Sequence, residues 1–168
     1  MTPRAAELAS RLIRNFNAAP LTHETRPPLY NTQYARLALG TAAMKLSASV
    51  DILAPGMRGC PYHAHHAQEE MFIILEGSGT LRVAGEMLPV SAGDVLFIPP
   101  GPDYPHQLIN TTSAPLKFLS IGTREQPEVV EYPDSGKYLA STATQADGSR
   151  FEAIGRLGQT LDYWVDEP

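Results

Sequence analysis

The chain has 168 residues, 43% hydrophobic and 18% charged, with a formal net charge of −5. That size suits one globular domain with a real core, and the acidic balance argues against nucleic acid or an anionic membrane as partner. A single cysteine, Cys60, excludes an internal disulfide. No apolar run approaches the ~20 residues that cross a bilayer, and the charged stretch Met1 to Phe16 does not read as a secretion signal. A soluble, cytoplasmic protein is expected.

The 15 prolines and 13 glycines do not form a linker but recur between short apolar runs, the rhythm of an all-β sandwich or barrel. In chain order, Thr2-Pro3 predicts the start of a short helix, with Thr2 as cap and Pro3 in the first turn. Leu8, Leu12 and Phe16 would form its narrow apolar stripe. Asn17 to Pro28 reads as a loop in which His23 is solvated. Strands are expected over Tyr30–Leu39 and Met44–Leu53. In the second, Leu46, Ala48, Val50 and Ile52 alternate with Lys45, Ser47, Ser49 and Asp51. After a turn at Pro55-Gly56, further strands are expected over Glu70–Glu76, Thr80–Ala84, Met87–Val90 and Val95–Ile98. Gly77-Ser78-Gly79 and Gly85-Glu86 read as turns between them. His106–Asn110 and Leu116–Ile121 would form the next pair, and Glu128–Tyr132 a further strand. Beyond Pro133 the pattern weakens: Leu139–Gly158 reads as a surface excursion and Leu161–Val165 as an edge strand anchoring the C-terminus. No repeat or boundary interrupts a single domain over residues 1–168, its motif core at about 44–122.

Chemistry concentrates in Gly56 to Gly77, which holds His63, His65, His66, Glu69 and Glu70. His63 and His65 stand two apart and leave one face of an extended segment. Glu70 opens the apolar run MFIIL, and His106 follows in PPGPDYPHQLIN. Imidazole nitrogens with a carboxylate suit zinc, and equally Mn, Fe, Ni or Co. Four protein ligands on a six-coordinate metal leave two positions open for substrate, water or dioxygen.

These residues resemble the two motifs of the cupin superfamily. His63, His65, Glu70 and Gly77 match the first motif; Gly93, Pro99, Gly101, His106 and Asn110 match the second. The leading glycine, Gly56, stands one residue too far from His63, and two extra residues separate Gly101 from His106, changes that lengthen loops and keep the ligand order. The resemblance implies an all-β jelly-roll barrel with a short N-terminal helix, commonly a homodimer, holding one divalent metal ion on His63, His65, Glu70 and His106. It also implies a small-molecule substrate or ligand. The layout looks similar to cupins described as sugar-phosphate isomerases, so a metal-dependent enzyme acting on a small polar molecule such as a sugar phosphate is expected. A non-catalytic binding cupin, and a dioxygenase or decarboxylase, share the same ligands and stay open.

Around the ligands, His66 has the wrong parity and Glu69 precedes the ligand position; both are candidates for orienting a ligand. His66, Glu69 and Glu76 are candidate bases, and Tyr104, with Tyr62, is a candidate proton donor at the barrel mouth. Cys60 reads as a buried inert thiol. Arg58, Arg82 and Lys117 are candidate anchors for an anionic substrate, with solvated surface charge as the competing reading. If Glu70 points inward, Phe72 and Ile74 do as well. The stretch YPDSGK (Tyr132–Lys137) lacks the leading glycine and the final Ser/Thr of a phosphate-binding loop.

Overall fold

The computed structural model describes residues 1–168. Helix α1 (Pro3–Leu12) begins as the cap predicts: the Thr2 hydroxyl accepts from the Ala5 N–H, with Pro3 in the first turn. The helix ends before Phe16 and buries none of its residues, so the expected stripe is no core element. Phe16 instead lies 5.5 Å from the Lys117 ammonium.

The presumed loop before Pro28 contains a strand, β1 (Thr22–Arg26), which pairs antiparallel with β2 (Tyr30–Arg36). All five residues of β1 are exposed, so no burial pattern marked it in the sequence. His23 is solvent-exposed as expected, though on a strand, and its Nε2 lies 2.7 Å from Asn31 Oδ1 across the hairpin. Strand β3 (Leu46–Leu53) forms where expected, but its burial does not follow the predicted alternation: Leu46 is exposed, Ala48 and Ile52 are half-buried, and Leu53, on the face of Ser49 and Asp51, is fully buried. Its orientation is the less obvious one, because Ser49 and Asp51 face an internal cavity while Val50, 1% exposed, is buried on the other side.

Strands β4 (Ala64–His65), β5 (Glu70–Glu76), β6 (Ser78–Val83), β7 (Glu86–Ser91) and β8 (Val95–Ile98) follow. Ala84 and Gly85, both at positive φ (48° and 84°), make the β6–β7 turn, one residue earlier than anticipated. Two positive values are what a two-residue turn needs to match strand twist. Gly79 lies inside β6, not in a turn: an added Cβ would sit 2.6 Å from the Ile109 carbonyl oxygen.

Strands β9 (His106–Ile109) and β10 (Leu116–Thr123) do not pair with each other as expected. Instead β9 pairs with β6, and β10 runs between β3 and β5. The chain therefore crosses from one sheet to the other between them, as a jelly roll requires. Strands β11 (Glu128–Tyr132), β12 (Lys137–Ser141) and β13 (Glu152–Arg156) complete the set, so the supposed excursion after Leu139 contains a hairpin. Leu161–Val165 forms no strand, and Leu161, Tyr163 and Trp164 are exposed. Aromatic and branched side chains favour a strand only where neighbours cover them.

The sheets have the orders β1-β2-β3-β10-β5-β8, β13-β12-β11-β4 and β7-β6-β9. Between them lies one cluster of ten buried residues, among them Leu53, Phe72, Ile74, Leu108, Leu116 and Phe118. This core fills one end of an all-β jelly-roll barrel. The other end stays open and polar.

Candidate metal centre

His63 and His106 face each other across an isolated antiparallel bridge. The His63 N–H donates to the His106 carbonyl at 3.1 Å, and the His106 N–H donates back at 2.7 Å. That reciprocal pair puts the two rings 4.5 Å apart at their centroids. Glu70 arrives from β5, where it lies opposite Ile98 on β8 and Gly122 on β10. Its Oε2 stands 2.8 Å from His106 Nε2, 3.7 Å from His63 Nε2 and 3.6 Å from His65 Nε2. One ligand atom from each of His63, Glu70 and His106 lies within 4.8 Å of the others. His65 adjoins this set: its Nε2 is 3.2 Å from His63 Nε2, while its ring centroid is 6.5 Å from that of His106.

The outer nitrogens explain why the inner ones suit a cation. His63 Nδ1 lies 2.8 Å from the Pro61 carbonyl, and His106 Nδ1 lies 3.2 Å from the Tyr104 carbonyl. An Nδ1–H donated to a carbonyl leaves Nε2 as a lone pair aimed inward. Lone pairs and a carboxylate then point at one another, and a divalent cation is the partner that relieves their repulsion. Where protons take that role, burial works against a charged His63, yet neighbouring Cys60 and Glu70 outweigh it and hold its pKa well above the usual histidine value. Burial likewise works against a Glu70 carboxylate, but hydrogen bonds from His106 and His63 hold its pKa well below the usual range. His65 is pushed down, mainly by burial.

One residue behind the site gave no signal in the sequence. Glu128, 3% exposed, accepts hydrogen bonds from the backbone N–H groups of His66 and Gln68 at 2.9 Å and of Ala67 at 3.5 Å. It thereby ties the segment after His65 to β11. Its Oε1 also lies 3.7 Å from His65 Nδ1, a buried atom without a hydrogen-bond partner.

The site opens into a cavity of about 680 Å³. Its wall includes Glu24 and Arg26 of β1, Tyr30, Thr32, Tyr34 and Arg36 of β2, and Ser49 and Asp51 of β3. Phe72 and Phe118 supply an apolar side, with Phe72 inward by the parity expected. Asp51 accepts from Ser49 Oγ and pairs with no cation. Its pKa is raised to about 6, chiefly by burial, with the Glu70 charge adding to it and the Ser49 hydrogen bond opposing.

Several sequence candidates stand elsewhere. The His66 ring turns outward to Glu131, at 2.8 Å. Glu69 is exposed, and its backbone N–H donates to Thr123 Oγ1. The Tyr104 side chain is 47% exposed and outside the cavity wall; its backbone carbonyl is the part that serves the site. Tyr62 is buried, accepts from the Gly85 N–H and lies under the Arg82 guanidinium at 3.8 Å. Arg82 in turn forms a double hydrogen bond with Asp134, and Lys117 pairs with Glu76. Neither Arg82, Lys117 nor Arg58 lines the cavity; the arginines that do are Arg26 and Arg36. Cys60 is exposed rather than buried, lining the cavity with its sulfur 3.5 Å from His63 Nδ1.

Residues 49–122 match the model of the family described as Cupin domain. With the barrel and the His–Glu–His cluster above, this stretch belongs to the cupin superfamily. An uncharacterized protein of Methanocaldococcus jannaschii is 36% identical over 73 residues, 41% of this chain and 57% of that protein. The oxalate-binding protein of Thermotoga maritima is 36% identical over 59 residues, 35% of this chain and 47% of that protein. The chain thus spans about half the length of the curated relatives it matches. Among solved structures, one described as a sugar phosphate isomerase of the cupin superfamily from Silicibacter pomeroyi is 25% identical with a TM-score of 0.71. That match covers 89% of this chain and 96% of the other. No helix is long and apolar enough to cross a membrane.

Proposed function

We propose that the protein is a metal-dependent enzyme acting on a small polar, anionic substrate of the sugar-phosphate kind, by an isomerase-type reaction. The observation that carries this is the joining of two chemistries in one cavity: inward Nε2 atoms with Glu70 at one wall, and Arg26 and Arg36 at another. His63, Glu70 and His106 would hold one divalent cation, with His65 as fourth ligand. When bound, the cation would act as a Lewis acid on a substrate carbonyl or hydroxyl. Arg36, stacked over Tyr34 at 5.9 Å, would hold the anionic end, and Phe72 and Phe118 would exclude water beside it. The likeness to the Silicibacter pomeroyi protein supports this reading.

The test is elemental analysis of protein purified without added metal, followed by a phosphosugar panel. Near-stoichiometric metal that is lost in His106→Ala, with turnover of a panel member, is the expected result. Metal below about a tenth of an equivalent with unchanged stability of His106→Ala would refute the site. A second reading, a binding protein without turnover, is favoured by the likeness to the oxalate-binding relative; tight oxalate binding with no turnover of any panel member would select it. A cytoplasmic homodimer belongs to the same proposal. Phe97, 68% exposed, and Val95 stand beside Met71 and Ile73 on the outer face of the large sheet, and light scattering would read the mass.

A further inference from the structure

A carboxylate inside a barrel is held there by a cation, by several N–H donors, or by the work it does. Glu70 has its imidazoles and Glu128 its three backbone N–H groups. Asp51 has neither, only the hydroxyl of Ser49.

Its position is set by the sheet. Asp51 lies between Tyr34 on β2 and Phe118 on β10, its register partners, and all three line the cavity. Glu70 is level with Gly122, which is level with Ser47. Asp51 is therefore four residues further along β3, with β10 between it and Glu70. It shares the cavity lining with His63, Glu70 and His106 without belonging to their cluster. The charged and titratable groups facing that space are Tyr30, Tyr34 and Arg36 from β2, Glu24 and Arg26 from β1, Glu70 from β5, His106 from β9, and Cys60 and His63 from the segment before β4; β10 contributes Phe118 and Ser120, which carry no charge.

We propose that Asp51 is the acid–base residue of this cavity, taking a proton from the carbon beside a substrate carbonyl and delivering it to the neighbouring carbon. The assignment rests on the isomerase reading above. For a hydroxy-carbonyl substrate the step balances without oxidant or reductant. The C–H bond beside the carbonyl breaks and its proton goes to the Asp51 carboxylate. The C–H electron pair becomes the second bond of a C=C, and the carbonyl π pair moves onto oxygen. Return of the proton to the former carbonyl carbon, with the hydroxyl proton passing between the two oxygens, yields the isomeric carbonyl. A carboxyl that titrates near neutral pH suits a group that must both take and give a proton, and burial sets Asp51 there.

The test uses Asp51→Asn in the full chain, with ribose 5-phosphate and glucose 6-phosphate in deuterated water as probes. Deuterium entry at the carbon beside the carbonyl is followed by NMR, with metal content measured on the same samples. Wild type should exchange, and the variant should exchange at least about 100-fold more slowly with unchanged metal. A variant within about threefold of wild type overturns the role of Asp51 and leaves the isomerase reading standing. A wild type that holds metal but exchanges neither probe overturns that reading and this role together. A readout independent of turnover is the carbon NMR signal of labelled aspartate. One carboxyl should titrate near 6, vanish in Asp51→Asn and shift when ribose 5-phosphate is added. A signal that ignores the probe means Asp51 does not meet substrate and overturns the assignment.

Discussion

Replacing Asp51 by asparagine should stabilise the protein at pH 8 and leave it unchanged near pH 4. Burial raises the carboxyl from 3.8 to about 6, so between those values the folded chain binds more protons than the unfolded one. Stability then falls as pH rises through that window. A rise of roughly two pKa units at 1.36 kcal/mol each amounts to ~3 kcal/mol lost by pH 8. Asparagine is nearly the same shape, keeps an oxygen for the Ser49 hydroxyl, and carries no charge to desolvate. For a chain of this size each kcal/mol moves the melting temperature by ~2–4 °C, so a gain of several degrees is expected at pH 8. The assay is thermal and denaturant unfolding of both proteins at pH 4 and pH 8, with metal content matched. A difference that is the same at both pH values, or a variant less stable at pH 8, would refute the placing of a shielded carboxylate in this cavity. A residue that costs stability where it is charged, in a wall shared with candidate metal ligands, fits a stability–activity exchange.

Removing metal with a chelator should lower the melting temperature, since a cation at 100 times its Kd adds ~2.7 kcal/mol; an unchanged melting curve would count against the site. Glu128→Ala should cost ~3 kcal/mol by leaving the N–H groups of His66, Ala67 and Gln68 without their acceptor, with metal content falling as well; urea unfolding and elemental analysis read both. Arg36→Ala should weaken inorganic phosphate binding about tenfold, the loss of one charge-assisted contact, with metal content intact; calorimetry that finds equal affinity would remove Arg36 as an anchor. Gly79→Ala should destabilise by ~1–3 kcal/mol, because its Cβ meets the Ile109 carbonyl and the Leu116 side chain; chemical denaturation reads it.

The sequence made the middle of the chain legible because two kinds of pattern coincide there. Glu70–Glu76 and Val95–Ile98 have the predicted ends, since apolar runs are stopped by Gly77, Asp94 and Pro99. The histidines were legible by order alone. What brings His63 to His106 is a backbone pairing between residues far apart in the chain, which no local pattern encodes. The turn at Ala84-Gly85 was placed one residue late because alanine rarely takes positive φ. The hairpin of β12 and β13 was missed because its residues are half exposed and rich in serine, alanine and glycine. Asp51 and Glu128 were missed for a deeper reason. Asp51 falls on the polar side of the pattern in Leu46–Leu53, and EVVEY has no alternation at all, so neither sequence says that these carboxylates face inward.

That reversal bears on where specificity resides. The stretch matching the family begins at residue 49, and it contains every candidate metal ligand. Glu24, Arg26, Tyr30, Thr32, Tyr34 and Arg36, which form one wall of the cavity, all precede it. They reach the site because β2 pairs with β3, setting Tyr34 beside Asp51 and Arg36 beside Ser49. The candidate ligands and this cavity wall are thus separable parts of the chain, joined by one antiparallel register. A one-residue slip of β2 would turn Tyr30, Thr32, Tyr34 and Arg36 outward and leave the metal set untouched. A match of 59 residues, as with the oxalate-binding relative, is too short to cover both parts in full. The Silicibacter pomeroyi match, at 89% of this chain, is long enough to include both.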